Sequence, residues 1–206
     1  MALKMKLATK RLLLRPVGMA DIPHYFELDA DPEVAAPIGL SGPVSLVGVR
    51  KSIRQAMRDW KKPGINKMAF TIVSRSGGER LGGINLRWPH GGVGELGYAI
   101  APRHQGNGYA TEAVRKVIDF AFQRLGAHRV QATCWVRNHP STRVLSRAGL
   151  RKEGTLRGYL KQGRKVRDEF MFGITRADWK MRRYRRYGSL TIAQPPVKLP
   201  SVVVRP

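Results

Sequence analysis

The chain has 206 residues, a hydrophobic fraction of 42% and a single cysteine, which is typical of one globular domain with a short tail. Cys134 alone cannot build a disulfide framework, and no Cys/His cluster has the spacing of a zinc site, so we expect no metal. No apolar run approaches the roughly 18 residues that span a bilayer. We recognise no secretory signal and expect a cytoplasmic protein without membrane contact.

The charge is strongly unbalanced, with 38 Lys and Arg residues against 14 Asp and Glu residues, a net charge of +24. Such a field attracts polyanions and speeds encounters with them. Nucleic acid, a ribosome surface or a phosphate-rich co-substrate would all be favoured partners. A basic proteome or a solubility device would explain the same charge, so both interpretations stay open.

The first half of the chain predicts one strand, two helices and an antiparallel meander. In the second helix, apolar residues recur at helical spacing and the opposite face is basic. Glycine-rich turns separate the strands of the meander. The predicted strands are 11–17, 67–74, 80–88 and 95–101, and the predicted helices are 20–31, with Asp21 as its start signal, and 45–60.

The second half begins with a glycine-containing loop that leads into the longest helix. A strand follows that helix without room for a reversal, which predicts a parallel strand–helix–strand crossover. The predicted elements are helix 109–125, strand 128–136, helix 140–148 and strands 154–160 and 166–175. We therefore divide the chain into an N-terminal tail (1–8), one domain (9–179) and a basic, then proline-rich tail (180–206).

The loop before the long helix, at residues 103–108, is the strongest chemical signal. Glycines allow a tight turn that points successive N–H groups into one concavity, and the helix N-terminus adds a positive dipole end. Together they predict a seat for a pyrophosphate. A Walker loop is excluded because Gly108 is followed by Tyr109 and Ala110, and a dinucleotide fingerprint fits poorly because Thr111 stands at its third glycine position.

Three segments resemble the GNAT N-acetyltransferase superfamily over about Arg11 to Trp179. Residues 103–110 (RHQGNGYA) resemble its acyl-CoA loop, and residues 95–98 (ELGY) its fourth strand. Residues 138–154 (NHPSTRVLSRAGLRKEG) resemble the Asn-x-x-Ser…Glu-Gly segment of the Rim-type branch, which acetylates ribosomal-protein N-termini. Leu150 stands where that branch usually has Phe.

The resemblance implies an α+β fold: a mixed, mostly antiparallel seven-stranded sheet with splayed fourth and fifth strands and flanking helices. Pantetheine would lie in the gap, paired with backbone near the end of the fourth strand. The loop amides would hold the pyrophosphate, with a charge from Arg103, and Asn138 would contact the pantetheine arm unless it only caps the following helix. The implied acetyl-CoA-binding residues are Ala99, Ile100, Ala101, Arg103, Gln105, Gly106, Asn107, Gly108, Tyr109, Ala110 and Asn138.

Acyl transfer from a thioester to an ammonium requires removal of a proton. Glu95 is the candidate base, with Asp168 and Glu169 as rivals, and an ion pair with a neighbouring arginine is its alternative interpretation. Ser141 is the candidate acid for the leaving thiolate, or else a helix cap. Other branches use a Tyr seven residues after the Asn, and here that position is Leu145.

The function that follows is acetyl-CoA-dependent acetylation of a primary amine by direct attack on the thioester. We favour a protein N-terminus on or near the ribosome, because +24 repels small cationic acceptors. The alternatives are an antibiotic or polyamine acetyltransferase, a tRNA- or ribosome-engaging acyl or aminoacyl transferase, and a non-catalytic RNA-binding module on the same fold. We expect RNA or ribosome contact through the basic surface and residues 180–186, and a monomer or homodimer.

Overall fold

The computed structural model describes residues 5–40, 42–60 and 67–187. Two short 3-10 turns, Met19–Asp21 and Pro102–His104, precede the first and fourth helices below. The strands are β1 (Leu7–Ala8), β2 (Leu12–Pro16), β3 (Lys67–Ser74), β4 (Arg80–His90), β5 (Val93–Ile100), β6 (Arg129–Trp135), β7 (Arg151–Gln162) and β8 (Lys165–Thr175). The helices are α1 (Ile22–Ala30), α2 (Pro32–Ala35), α3 (Leu46–Asp59), α4 (Tyr109–Arg124), α5 (His139–Ala148) and α6 (Arg176–Tyr187).

The eight strands form one sheet in the order β1-β2-β3-β4-β5-β6-β8-β7. Every neighbouring pair is antiparallel except β5 and β6, which are parallel and joined through α4. This confirms the predicted mixed sheet and the crossover. The predicted strand number was wrong by one, because Leu7 and Ala8 pair with β2 and the Leu7 side chain is buried. The predicted fourth and fifth strands are therefore β5 and β6.

Helices cover both faces of the sheet because the strand side chains alternate between two apolar clusters. Phe70 on β3 belongs to the larger core, which contains the inner face of α4. Its neighbour Ala69 packs on the opposite cluster, where α1 and α3 bury Ile22 and Ile53. The α4 side and the α1–α3 side are thus two distinct surfaces of one sheet.

The parallel pair separates soon after it begins. β5 and β6 are paired only from Val93 to Glu95 against Arg129 to Gln131. The remaining residues of β5, Leu96 to Ile100, pair with β4 alone among the described residues. The sheet therefore opens at Glu95, as the splayed strands of the prediction require.

Several predicted boundaries change. Helix 20–31 is a 3-10 turn followed by α1, and α2 follows as a separate helix. The predicted turn 89–94 shrinks because β4 and β5 extend to His90 and Val93. The basic residues 180–186 lie within α6, so the predicted tail boundary falls inside a helix, and the proline-rich part lies outside the described residues. None of the described helices is long and apolar enough to cross a membrane.

Candidate active site

The glycine loop is open and has the geometry of an anion seat. Gly106 and Gly108 have φ angles of 78° and 77°, in the left-handed region that favours glycine. Gly108 is also the N-cap of α4, and without a side chain it leaves the first-turn N–H groups uncovered. A Cβ built on Gly106 would meet nothing within 4 Å. Residues 105–108 are exposed, so their amides are accessible to an anion.

Arg11 supports this loop from outside the predicted motif. Its Nη1 donates to the Asn107 carbonyl at 3.0 Å, and its Nε donates to the Glu112 carboxylate on α4 at 2.7 Å. Its guanidinium also lies 4.7 Å from the centre of the Tyr109 ring. The first turn of α4 is therefore fixed to the start of β2. This contact is long-range, and no local sequence pattern predicts it.

The side chains of the loop have different roles: two hold the turn, and a third is accessible to an anion. Asn107 Nδ2 donates to the carbonyls of His104 and Gln105 at 3.2 and 3.0 Å, which closes the turn on itself. Gln105 Nε2 donates to the Ile100 carbonyl at 3.0 Å. Arg103 lies at the start of the loop with 59% of its side chain exposed, 3.8 Å from a Glu79 oxygen. Asn107 and Gln105 thus shape the turn, whereas Arg103 is accessible to a phosphate.

The end of β5 borders the gap. Ala101 is buried and its N–H donates to the Leu81 carbonyl at 2.9 Å, so this residue is anchored to β4. The Ile100 carbonyl is the one that accepts from Gln105. A pantetheine amide that paired with this carbonyl would share it with the Gln105 side chain or displace that side chain. The predicted residues Ala99, Ile100 and Ala101 therefore lie beside the gap, with one carbonyl already engaged by the loop.

On the other side of the gap, Asn138 caps α5. Its side-chain Oδ1 accepts from the Ser141 N–H at 3.0 Å, which is the capping interpretation of the sequence. The contact with the pantetheine arm that the resemblance assigns to Asn138 would then fall to its amide nitrogen. Because Asn138 is the cap, the Ser141 hydroxyl is left for another partner.

That partner is Tyr98, which crosses the gap from β5. The Tyr98 hydroxyl and Ser141 Oγ lie 2.8 Å apart. Burial raises the pKa of Tyr98, although its hydrogen bond with Ser141 opposes the shift, so the phenol stays protonated at neutral pH. Cys134 lies in the core, 3.7 Å from Thr142 Oγ1, and burial raises its thiol pKa as well. The Tyr98–Ser141 pair is therefore a neutral hydroxyl pair at the edge of the gap.

Glu95 lies at the point where β5 and β6 separate. Arg87 on β4 binds its carboxylate, with Nε at 3.0 Å and Nη2 in closer contact. Gln131, its partner on β6, approaches the other oxygen at 3.4 Å. Only 12% of the Glu95 side chain is exposed. The ion pair that the sequence offered as an alternative is present, and it orients the carboxylate at the opening.

The rival carboxylates on β8 are also engaged. Asp168 Oδ1 accepts from the Gly158 N–H at 2.8 Å, so it holds the β7–β8 hairpin. Glu169 is buried and forms an ion pair with Arg167 at 3.0 Å. Arg167 also donates to the carbonyls of Ala36 and Pro37, beyond α2. These two carboxylates therefore already have structural roles in the hairpin and in its contact with the loop after α2.

Sequence reasoning did not assign roles to four residues that the structure places around the site: Arg11, Arg87, Tyr98 and Gln131. Tyr98 was detectable, because alternation places it with Leu96 on the face opposite Glu95. The other three act through long-range contacts. No group of three or more His, Cys, Asp or Glu residues in the described parts of the chain is placed to hold a metal ion.

Comparison with known proteins identifies the family. A family model described as Acetyltransferase (GNAT) domain matches residues 11–151. The uncharacterized N-acetyltransferase p20 of Bacillus licheniformis is 31% identical over 175 residues, which is 84% of this chain and 97% of that protein. A GNAT-family acetyltransferase structure from Bacillus anthracis superposes with a TM-score of 0.75 at 25% identity, covering 84% of this chain and 99% of that one. The chain therefore belongs to the GNAT acetyltransferase family and is an acetyl-CoA-dependent N-acetyltransferase.

Relatives with described acceptors point in two directions. The ribosomal protein uS5-alanine N-acetyltransferase of Escherichia coli is 33% identical over 84 residues, which is 41% of this chain and 43% of that protein. A spermidine N-acetyltransferase from Vibrio cholerae, in complex with CoA and spermine, has the same fold with a TM-score of 0.73 at 18% identity, covering 83% of this chain and 99% of that one. Neither likeness determines the acceptor of this enzyme.

Proposed function

We propose that this enzyme acetylates the α-amino group of a protein N-terminus, with a ribosomal-protein-like acceptor favoured. The observation that carries this proposal is the net charge of +24, which repels small polycations but attracts ribosome-associated acceptors in their RNA environment. The partial likeness to the uS5-alanine enzyme supports the same acceptor class. The resemblance of residues 138–154 to the Rim-type segment adds to it.

The site residues divide between holding acetyl-CoA and moving protons. The amides of residues 105–110 bind the pyrophosphate, and Arg103 adds a charge to the phosphates. Pantetheine lies along the end of β5 in the gap, with Ala99, Ile100 and Ala101 on one side and Asn138 on the other. This arrangement holds the thioester where β5 and β6 diverge, and positioning supplies much of the rate gain because a thioester is already activated.

The reaction then needs two proton transfers. Glu95 removes a proton from the ammonium, directly or through a water, and the amine nitrogen attacks the thioester carbonyl carbon. Backbone N–H groups of β5 stabilise the oxyanion. The C–S bond breaks and the thiolate leaves with the electron pair, while the nitrogen loses its second proton to Ser141 as the Ser141 hydroxyl passes its own proton to the sulfur. The Tyr98 hydroxyl holds the Ser141 hydroxyl in place for this step.

One observation favours a second candidate, a small cationic amine such as a polyamine. Residues 22–34 contain four acidic residues and no Lys or Arg, in a chain that is otherwise strongly basic. Leu28 and Val34 from this segment pack with Ala101 and Ala99 at the end of β5. The acids of α1 and α2 therefore lie near the acceptor side of the gap, where a local negative field counteracts the net charge.

Release of free thiol from acetyl-CoA separates these candidates. We expect turnover with peptides that carry ribosomal-protein N-termini, and a loss of that turnover when the same peptides are formylated at the N-terminus. Spermidine should be at least about tenfold poorer in kcat/KM, which is a difference of about 1.4 kcal/mol in transition-state binding. The reverse order would assign the enzyme to polyamines. If neither acceptor led to release of thiol, both candidates would be contradicted.

A further inference from the structure

Helix α3 has an outer face that is strongly basic. Its inner face buries Val49 and Ile53 against α1 and the end of β2. The outer residues Arg50, Arg54 and Arg58 are exposed and follow each other at intervals of four, so they form one stripe along the helix. With a rise of about 1.5 Å per residue, the stripe extends over about 12 Å. Lys51 is exposed beside this stripe. We call Arg50, Lys51, Arg54 and Arg58 the basic face of α3.

The fold does not neutralise this face. The ion pairs among the described residues engage other cations, and none involves the four residues of the basic face. Arg58 donates to the neutral Gln55 side chain at 2.7 Å, and Gln55 donates to Asp59. The segments outside the described residues contain no Asp or Glu. Like charges at intervals of four destabilise a helix, so folding alone does not explain the arrangement.

We propose that the basic face of α3 is a docking surface for the phosphate backbone of RNA. Guanidinium groups bind phosphate oxygens through paired hydrogen bonds, and a row of them follows a strand that carries one charge per nucleotide. An acidic protein would need an apolar centre to its interface. Only the first turn of α3 offers exposed apolar side chains, Leu46 and Val47. Recognition is therefore of the backbone and independent of sequence.

The position of α3 links this surface to catalysis. α3 packs with α1 on the face of the sheet that also carries Ala99, which packs with Leu28 of α1. Glu95 is on the same face, because strand residues four apart point to the same side. RNA bound to α3 would thus bring ribosome-associated acceptors to the side of the sheet where Glu95 lies. The acetyl-CoA loop adjoins another element, α4, so RNA binding to α3 does not depend on acetyl-CoA binding.

The test measures binding of the full chain to a fluorescein-labelled RNA hairpin by anisotropy at several KCl concentrations. The variant R50Q/R54Q/R58Q removes three charges from α3, and the matched control R157Q/K161Q/R164Q removes three exposed charges from the β7–β8 hairpin. We expect the α3 variant to lose at least about tenfold in affinity and the control less than about threefold. The slope of log K against log[KCl] should become shallower by about two to three in the α3 variant.

Equal losses in both variants would show that the net charge, and not α3, holds RNA, and would overturn the proposal. Tight binding of a polyglutamate chain that the RNA cannot displace would overturn it in favour of an acidic protein. A single R54E variant gives the same comparison if the triple variant lowers the thermal midpoint. Acetyl-CoA affinity by calorimetry should be unchanged in every α3 variant, so loss of RNA binding and failure of the acetyltransferase proposal are distinguishable.

Discussion

At the scale of single residues, Glu95 combines two features that make it the foremost base candidate. It is the last β5 residue paired with β6, so its carboxylate lies at the mouth of the gap. Arg87 and Gln131 each approach a different carboxylate oxygen. A carboxylate held in this way keeps one orientation, which a general base needs in order to reach the ammonium proton of an incoming acceptor.

Glu95→Gln should lower kcat/KM by about a hundredfold at neutral pH, because the amide cannot accept the proton. The deficit should shrink as the pH rises, since the acceptor amine then loses its proton to solvent. The measurement is a pH profile of thiol release for both proteins. Arg87→Gln is the companion variant, which keeps the base but frees its orientation. A neutral-pH rate equal to wild type would remove Glu95 from this role.

The Tyr98–Ser141 hydrogen bond gives a second test at this scale. If Tyr98 positions the Ser141 hydroxyl, Tyr98→Phe and Ser141→Ala should each lower kcat several-fold, and the double variant should be no slower than the worse single variant. KM for acetyl-CoA should change less than kcat in both single variants. Additive losses in a double-mutant cycle on kcat would show that the two hydroxyls act separately.

The sequence indicated a neighbouring arginine as an alternative partner of Glu95 but not which arginine. Alternation along 95–101 places Glu95 on the face opposite Leu96 and Tyr98, and the unbroken pairing of these residues with β4 agrees with it. The partner depends on an irregularity: Arg87 pairs with Glu95 and His90 with Val93, so the register shifts by one residue between them. Pro89 lies in this bulge, where its missing N–H costs no ladder hydrogen bond. Without the bulge, a two-residue turn would place Trp88 opposite Glu95.

At the scale of elements, the loop and α4 were predicted almost in full. The helix begins at Tyr109 as expected and ends one residue earlier, at Arg124. This accuracy has a physical cause, because glycine conformations and helix termini are set by local sequence. The sheet order and the place where β5 and β6 separate depend on long-range pairing, and they came from the family resemblance.

Replacing Gly106 or Gly108 with Val should weaken acetyl-CoA binding by at least about tenfold, because a β-branched residue with a positive φ costs about 1–3 kcal/mol and its side chain fills the anion seat. Calorimetry with acetyl-CoA measures the loss. Gly163→Val is a matched control, since Gly163 has a φ of 61° and its Cβ would meet nothing within 4 Å, in the distant β7–β8 turn. Affinity that stays unchanged in both loop variants would contradict the loop assignment.

The basic composition of helix α6 does not reveal that one of its residues is buried against α4. The predicted domain boundary divides this helix between the domain, which ends at Trp179, and the basic tail. Trp179 is buried and donates through Nε1 to Asp119 on α4 at 2.7 Å. Its ring lies 5.3 Å from that of Phe122. One buried aromatic anchors a helix whose other residues are mostly polar, and the anchor is recognisable only once α4 is in place.

At the scale of the whole molecule, the chain uses several of its few acidic residues to hold arginines within the fold. Asp21 is fully buried and accepts from Arg15 at 2.6 Å, Arg80 at 2.8 Å and Thr71 at 2.9 Å. The sequence predicted Asp21 as a helix start, whereas its carboxylate makes no cap hydrogen bond to α1 and joins β2, β3 and β4. The net charge predicted a polyanion partner, but only the three-dimensional arrangement distinguishes paired cations from those of α3.

Asp21→Asn should therefore destabilise the protein by about 3 kcal/mol at pH 7. Removing one partner from a buried ion pair costs about 3–5 kcal/mol, and Arg15 and Arg80, with 27% and 38% of their side chains exposed, regain some hydration. Urea unfolding at pH 7 measures the difference. Thr71→Val, which removes only a neutral donor, is the control and should cost about 1 kcal/mol.

The pH dependence of this difference has a definite sign. Burial alone would raise the pKa of Asp21, but the hydrogen bonds from Arg15, Arg80, Gly18 and Thr71 outweigh it and hold the pKa well below the ordinary value. A lowered folded-state pKa adds stability that is complete above the unfolded pKa of about 3.9 and is lost as the pH falls below it. The difference in the free energy of unfolding between wild type and Asp21→Asn should stay constant from pH 7 to about 5 and become smaller below about 4. If this difference became larger on acidification, Asp21 would be protonated in the folded protein. The contacts from Arg15, Arg80 and Thr71 would then not hold it as an anion.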